Sequence, residues 1–108
     1  MKLTFLETPV FTDQITRLLD DADYRCLQEH LLRAPTAGDL IIGTGGCRKI
    51  RWAATGRSAC KRGGIRVIYF YRTKANQVLF LLAYDHRAID DLTPGQKKQL
   101  ATLVKQLK

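Results

Sequence analysis

Three extended segments follow one another closely in the middle of the chain, and short links allow them only antiparallel pairing. Arg48 to Ala53 alternates, with Ile50 and Trp52 pointing one way and Lys49 and Arg51 the other. A small, polar, basic loop from Ala54 to Lys61 follows, and Gly63-Gly64 leads into a strand from Ile65 to Arg72. Lys74-Ala75-Asn76-Gln77 is a turn, and Val78 to Tyr84 is apolar on both faces, as a central strand requires. The expected core of the fold is therefore a β-meander.

The flanking segments read as a strand and three helices. Lys2 to Glu7 is a short first strand, with Leu3, Phe5 and Leu6 toward the core. Thr8-Pro9 starts a helix, with Thr as cap and Pro at the first position, and Phe11, Ile15, Leu18 and Leu19 recur at helical spacing. Asp20, Asp21 and Asp23 end it and favour the start of a second helix. Tyr24, Leu27, Leu31 and Leu32 give that helix one apolar face, and Ala34-Pro35 stops it. A loop from Pro35 to Gly46 carries a short extended piece at Leu40-Ile42. Thr93-Pro94-Gly95-Gln96 has capping-box spacing, and Leu100, Leu103, Val104 and Leu107 form the buried stripe of a last helix. The expected order is β-α-α-β-β-β-α, an α+β domain over residues 1–108 with the helices packed on one face of the meander.

Charge says where such a fold would act. Cys47 to Lys74 holds nine Lys and Arg residues and no Asp or Glu, while the rest of the chain holds the other nine and all ten acidic residues. The net charge of +8 is thus a local field, interleaved with Ile50, Trp52, Ile65 and Tyr69. A charged sheet surface of this kind suits a phosphate backbone, meaning nucleic acid. No apolar run approaches the ~18–20 residues of a membrane span, and Glu7 interrupts the N-terminal apolar run before a signal peptide can form. The expected location is the cytosol. Three cysteines at spacings without a Cys-x-x-Cys pair read as ordinary reduced thiols, so no metal and no cofactor is expected.

The candidate chemistry is cationic. Gly43-Thr44-Gly45-Gly46 lacks the Gly-Lys-Ser/Thr ending of a phosphate loop and precedes a strand, so it reads as a turn. Lys49 and Arg51 lie ~6.5–7 Å apart along one strand face, and Arg66 opens the neighbouring strand. Pairing across the Ala54–Lys61 loop brings the three together, and three like charges are costly without an anion. No Ser/His/Asp arrangement is visible. His30 reads as a solvated helix residue, whereas His86 follows the last strand in Tyr84-Asp85-His86-Arg87. Catalysis would have to use Lys, Arg, Tyr and His.

Three stretches together resemble the HigB branch of the RelE-like toxins of bacterial toxin–antitoxin systems. They are Gly43-Thr44-Gly45-Gly46-Cys47-Arg48-Lys49-Ile50-Arg51, Lys61-Arg62-Gly63-Gly64-Ile65-Arg66-Val67-Ile68-Tyr69-Phe70 and Asp91-Leu92-Thr93-Pro94-Gly95-Gln96-Lys97-Lys98. The resemblance covers most of the chain and implies a microbial-ribonuclease-like sheet. It also implies a metal-independent endoribonuclease that cuts mRNA in the ribosomal A site by attack of a 2′-hydroxyl on the adjacent phosphate. Lys49, Arg51 and Arg66 match the family's basic positions, and His86 or Arg87 matches the position after the last strand. Arg48, Arg57, Lys61, Arg62 and Tyr84 are the implied substrate contacts. Crowding by cations would suit Lys49 to general-base work, while which residue is the general acid and which the general base stays open. The implied partners are the ribosome, mRNA and a helix-turn-helix antitoxin of HigA type, with DNA reached only through the antitoxin complex. The pattern departs from the family near the C-terminus, where some members carry a base-stacking tyrosine and this chain has Asp90-Asp91-Leu92. Two other classes stay open at this point: a ParE-like gyrase inhibitor of the same fold, and a simple basic RNA-binding module.

Overall fold

The computed structural model describes residues 2–52, 64–85 and 91–107. Five strands form one sheet in the order β1-β5-β4-β3-β2. They are β1 (Thr4–Glu7), β2 (Asp39–Leu40), β3 (Arg48–Trp52), β4 (Ile65–Arg72) and β5 (Gln77–Asp85). The meander β3-β4-β5 is antiparallel throughout, as the short links require. β2 adds two residues against β3, and β1 lies parallel to β5. The short extended piece foreseen at Leu40-Ile42 starts one residue earlier and ends at Leu40.

Each helix begins where its sequence signals place it. Thr8 caps α1 (Pro9–Leu18), its Oγ1 accepting from the Phe11 amide at 3.0 Å. Asp20 caps α2 (Asp21–Arg33) by accepting from Asp23 N–H at 2.8 Å, and the helix ends at Ala34 before Pro35. For α3 (Pro94–Leu107) the capping box is reciprocal. Gln96 N–H donates to Thr93 Oγ1 at 3.1 Å, and Thr93 N–H donates to Gln96 Oε1 at 2.9 Å.

The helices do not share one face of the sheet, contrary to the sequence expectation. Phe11, Ile15, Leu27 and Leu31 of α1 and α2 pack with Ile50, Val67, Tyr69 and Phe80. Leu100 and Val104 of α3 pack with Ile68, Phe70, Leu81 and Tyr84 on the opposite side. The physical reason is that β4 is buried on both sides, from Ile65 through Phe70, and each side needs an apolar cover. On the first side Phe80 is stacked against Phe11 at 4.7 Å and Phe5 at 5.6 Å. Leu32 is 47% exposed and Leu6 42%, so neither joins the core as expected.

A bulge decides which residues of β5 face α3. Ile68 pairs with Leu82 and Tyr69 with Phe80, so Leu81 is an extra residue on β5. Without that extra residue Ala83 would stand opposite Arg66; with it, Tyr84 does. The outer edge of β5 beyond Phe80 is met by α1 side chains. Thr8 Oγ1 donates to the Leu81 carbonyl at 3.0 Å, and Gln14 Oε1 accepts from Ala83 N–H at 2.8 Å.

Candidate functional site

Directly opposed residues of antiparallel strands project to the same face, so the pairings Arg51–Arg66 and Arg66–Tyr84 draw one row across β3, β4 and β5. Two strand spacings separate its ends, about 10 Å. Lys49 shares that face, two residues along β3 from Arg51. The face is the one α3 partly covers, so the row runs beside the apolar cluster that holds Tyr84 and Leu92.

The row grades from wet to dry. Arg51 is exposed, Arg66 is 7% exposed and Tyr84 is 6% exposed. The sequence reading treated Arg66 as a strand-face charge; it is a buried one. The Tyr84 hydroxyl is buried and has no hydrogen-bond partner among the described residues. Burial pushes the Tyr84 phenol above its ordinary value, with Asp91 adding to the rise and Arg66 opposing it. The phenol therefore keeps its proton at neutral pH and is a donor beside a guanidinium.

Asp91 is a component that the sequence reading missed. Its Oδ1 lies 3.7 Å from Lys49 Nζ, whose side chain is 30% exposed. The Leu92 amide, donating to Oδ1 at 2.8 Å, is the main reason this carboxyl is held below its ordinary range, with Lys49 and Lys97 helping and desolvation opposing. The Lys49 neighbourhood thus includes an anion, where only cations were foreseen. No local signal marks Asp91, because the contact joins β3 to the start of α3.

Arg48 does not join the row. It pairs with Tyr69, on the α1–α2 face, and its Nη1 donates to the carbonyls of Gly38 at 2.8 Å and Thr36 at 3.2 Å. Tyr69 anchors the same loop, donating to Pro35 O at 2.8 Å and accepting from Gly38 N–H at 2.9 Å. A side chain at Gly38 would meet the Tyr69 ring at 2.9 Å, so the loop closes on β3 only with glycine there. Arg48 and Tyr69 together brace β2 against β3 next to Lys49. The Gly43–Gly46 segment is a turn, as read, with Gly43, Gly45 and Gly46 at positive φ and Thr44 Oγ1 tying its flanks by donating to Ile41 O and accepting from Cys47 N–H. Arg57, Lys61, Arg62, His86 and Arg87 lie outside the described residues.

The arrangement defines a chemistry. Arg51 and Arg66 are opposed in register on one face of the ladder, where like charges repel. An anion bridging them relieves the repulsion, and a protonated phenol beside them adds a neutral donor. A phosphodiester fits this set of donors. Tyr84→Phe removes a buried hydroxyl without a partner among the described residues, so stability is expected to hold or rise by up to about 1 kcal/mol. Affinity for a phosphodiester is expected to fall about tenfold, as loss of one hydrogen bond to a charged group does. Thermal melts and binding titrations on one preparation check both; a melt lowered with the affinity unchanged contradicts the assignment.

No protein-family model matches the chain. The fold is nevertheless the RelE-like one. A solved structure of the Escherichia coli toxin RelE, a double arginine-to-alanine mutant in the free state, matches with a TM-score of 0.59, covering 100% of both chains at 17% sequence identity. A likeness at that identity fixes the fold and leaves the chemistry to the residues themselves. Among the described residues no helix is long and apolar enough to cross a membrane.

Proposed function

We propose that this protein is the toxin of a type II toxin–antitoxin system, of the HigB branch, and a ribosome-dependent mRNA endoribonuclease acting in a bacterial cytoplasm. The observation that carries the reading is the row Arg51–Arg66–Tyr84 with Lys49 beside it. The RelE-like fold and the concentration of basic residues between Cys47 and Lys74 support it.

The reaction is a transesterification. The 2′-oxygen loses its proton and attacks the adjacent phosphorus; the bond from phosphorus to the 5′-oxygen breaks, and that oxygen takes up a proton. Products are a 2′,3′-cyclic phosphate, open to hydrolysis, and a 5′-hydroxyl. Arg51 and Arg66 neutralise the charge that grows on the phosphorane, and Tyr84 donates to one of its oxygens. Lys49, whose ammonium is paired with Asp91 at 3.7 Å, has no lone pair free for a proton; it is proposed to stabilise the phosphorane as a cation, and the Asp91 carboxylate or a water to take the 2′ proton. His86 and Arg87 follow β5 directly in the sequence and are proposed for the leaving oxygen. Arg57, Lys61 and Arg62 are proposed to hold the RNA or ribosome backbone by charge. Inhibition belongs to a small helix-turn-helix antitoxin of HigA type, whose acidic segment the cationic face would attract.

Expression of the chain alone is expected to stop growth, with new 5′ ends appearing within translated mRNA. Mapping 5′ ends after induction tests this. Cuts spread equally over untranslated RNA contradict ribosome dependence. Arrest of DNA replication without cuts selects the gyrase-inhibitor class, and RNA binding without cuts selects the plain binding module.

A further inference from the structure

Beyond the reactive row, at the outer margin of the sheet, lies a cavity of about 500 Å³ whose lining includes His30, Asp39, Lys49, Arg51 and Trp52. It sits where β2 stops. β2 pairs only with Arg48 and Lys49, so from Ile50 onward the outer edge of β3 has no partner strand among the described residues. The His30 and Trp52 rings are 5.4 Å apart and inclined at 46°. Rings at that angle do not blanket each other, and Trp52 is only half-buried. The cavity falls within the size of small-molecule pockets and combines aromatic rings, cations and one carboxylate.

Asp39 makes the pocket more than an extension of the cationic face. A carboxylate beside a phosphate path opposes binding of the backbone unless it accepts hydrogen bonds from the ligand. Asp39 has no ion-pair partner among the described residues. The ligand that answers all three features has a flat aromatic face, a nearby phosphate and an N–H donor edge. We propose that this pocket is a nucleobase subsite. It stacks one base of the RNA on Trp52 and His30, reads that base's exocyclic amino group through Asp39, and leaves the adjoining phosphate to Arg51 and Lys49. The proposal rests on the nucleolytic reading for its RNA, and it assigns base preference to α2 and the β3 edge.

The chain has one tryptophan, so emission excited at wavelengths beyond the absorption of its four tyrosines reports on this pocket. The probes are trinucleotides of deoxycytidine and of deoxyuridine, which the full chain cannot cut because they lack the 2′-hydroxyl. Their bases differ mainly in bearing an amino or a carbonyl group. Saturable quenching is expected, with the deoxycytidine probe bound about tenfold more tightly. Asp39→Asn should erase that preference, His30→Ala should weaken both probes, and inorganic phosphate should leave the emission unchanged. Silent emission with both probes, equal quenching by phosphate, or a preference that survives Asp39→Asn overturns the subsite. Cleavage of ribosome-bound mRNA by a protein whose Trp52 stays silent would remove the subsite and leave the nuclease. Base-selective quenching in a protein that never cuts RNA would do the reverse.

Discussion

Replacing Arg66 is expected to abolish RNA cleavage, with a loss of about a hundredfold or more for Arg66→Ala. Arg66 stands between Arg51 and Tyr84 in the row, so it is the residue best placed to meet both a phosphate and its neighbours. Its burial complicates the alanine variant, because a 7% exposed side chain leaves a gap and strands whatever it bonds. A stability cost of about 1–3 kcal/mol is expected there. Arg66→Lys separates the two effects. Lysine keeps the charge and most of the volume but loses the planar fork that binds two phosphate oxygens at once. The expected outcome is a folded protein with a melt near that of the parent and a rate at least tenfold lower. Arg66→Lys with both melt and rate unchanged would remove Arg66 from the chemistry.

The second large effect is a steep loss of ribosome or RNA affinity with salt. Each single-stranded phosphate neutralised contributes a slope of about −0.7 in log affinity against log salt. If roughly six phosphates are met, affinity falls a few hundredfold between ~50 and ~200 mM salt. Nine cations lie between Cys47 and Lys74, but Arg48 is committed to the Gly38 and Thr36 carbonyls, so its removal should barely change the slope. Arg51→Ala should reduce it by about one contact. Binding measured by anisotropy across a salt series checks this; a flat response would place the contact surface elsewhere.

What could be read from the sequence was local. Thr8, Asp20 and the Thr93–Gln96 pair cap their helices as their spacing implies, because a cap is decided within four residues. The period-two pattern of Arg48–Trp52 separates Lys49 and Arg51 from Ile50 and Trp52. The same pattern turns Arg48 to the face of Ile50 and Trp52, away from Lys49, which agrees with its pairing opposite Tyr69. The apolar stripe of α3 states that Leu100 and Val104 are covered, not which face of the sheet covers them. In β5, apolar on both sides, no alternation reveals the extra residue at Leu81, yet that residue brings Tyr84 opposite Arg66. The Asp91–Lys49 and His30–Trp52 contacts join elements far apart in the chain, and neither leaves a local trace.

The central claim is that a 2′-hydroxyl of the RNA is the nucleophile and that the Arg51–Arg66–Tyr84 row receives its phosphate. The most direct measurement uses ribosomes programmed with one mRNA in two forms, all-ribose or with a single 2′-deoxynucleotide just upstream of the mapped cut. The expected result is cleavage of the first to a 5′-hydroxyl and a cyclic or 3′-phosphate end, with the second left intact at that position. Equal cleavage of both forms would contradict the mechanism, whatever the toxicity of the protein.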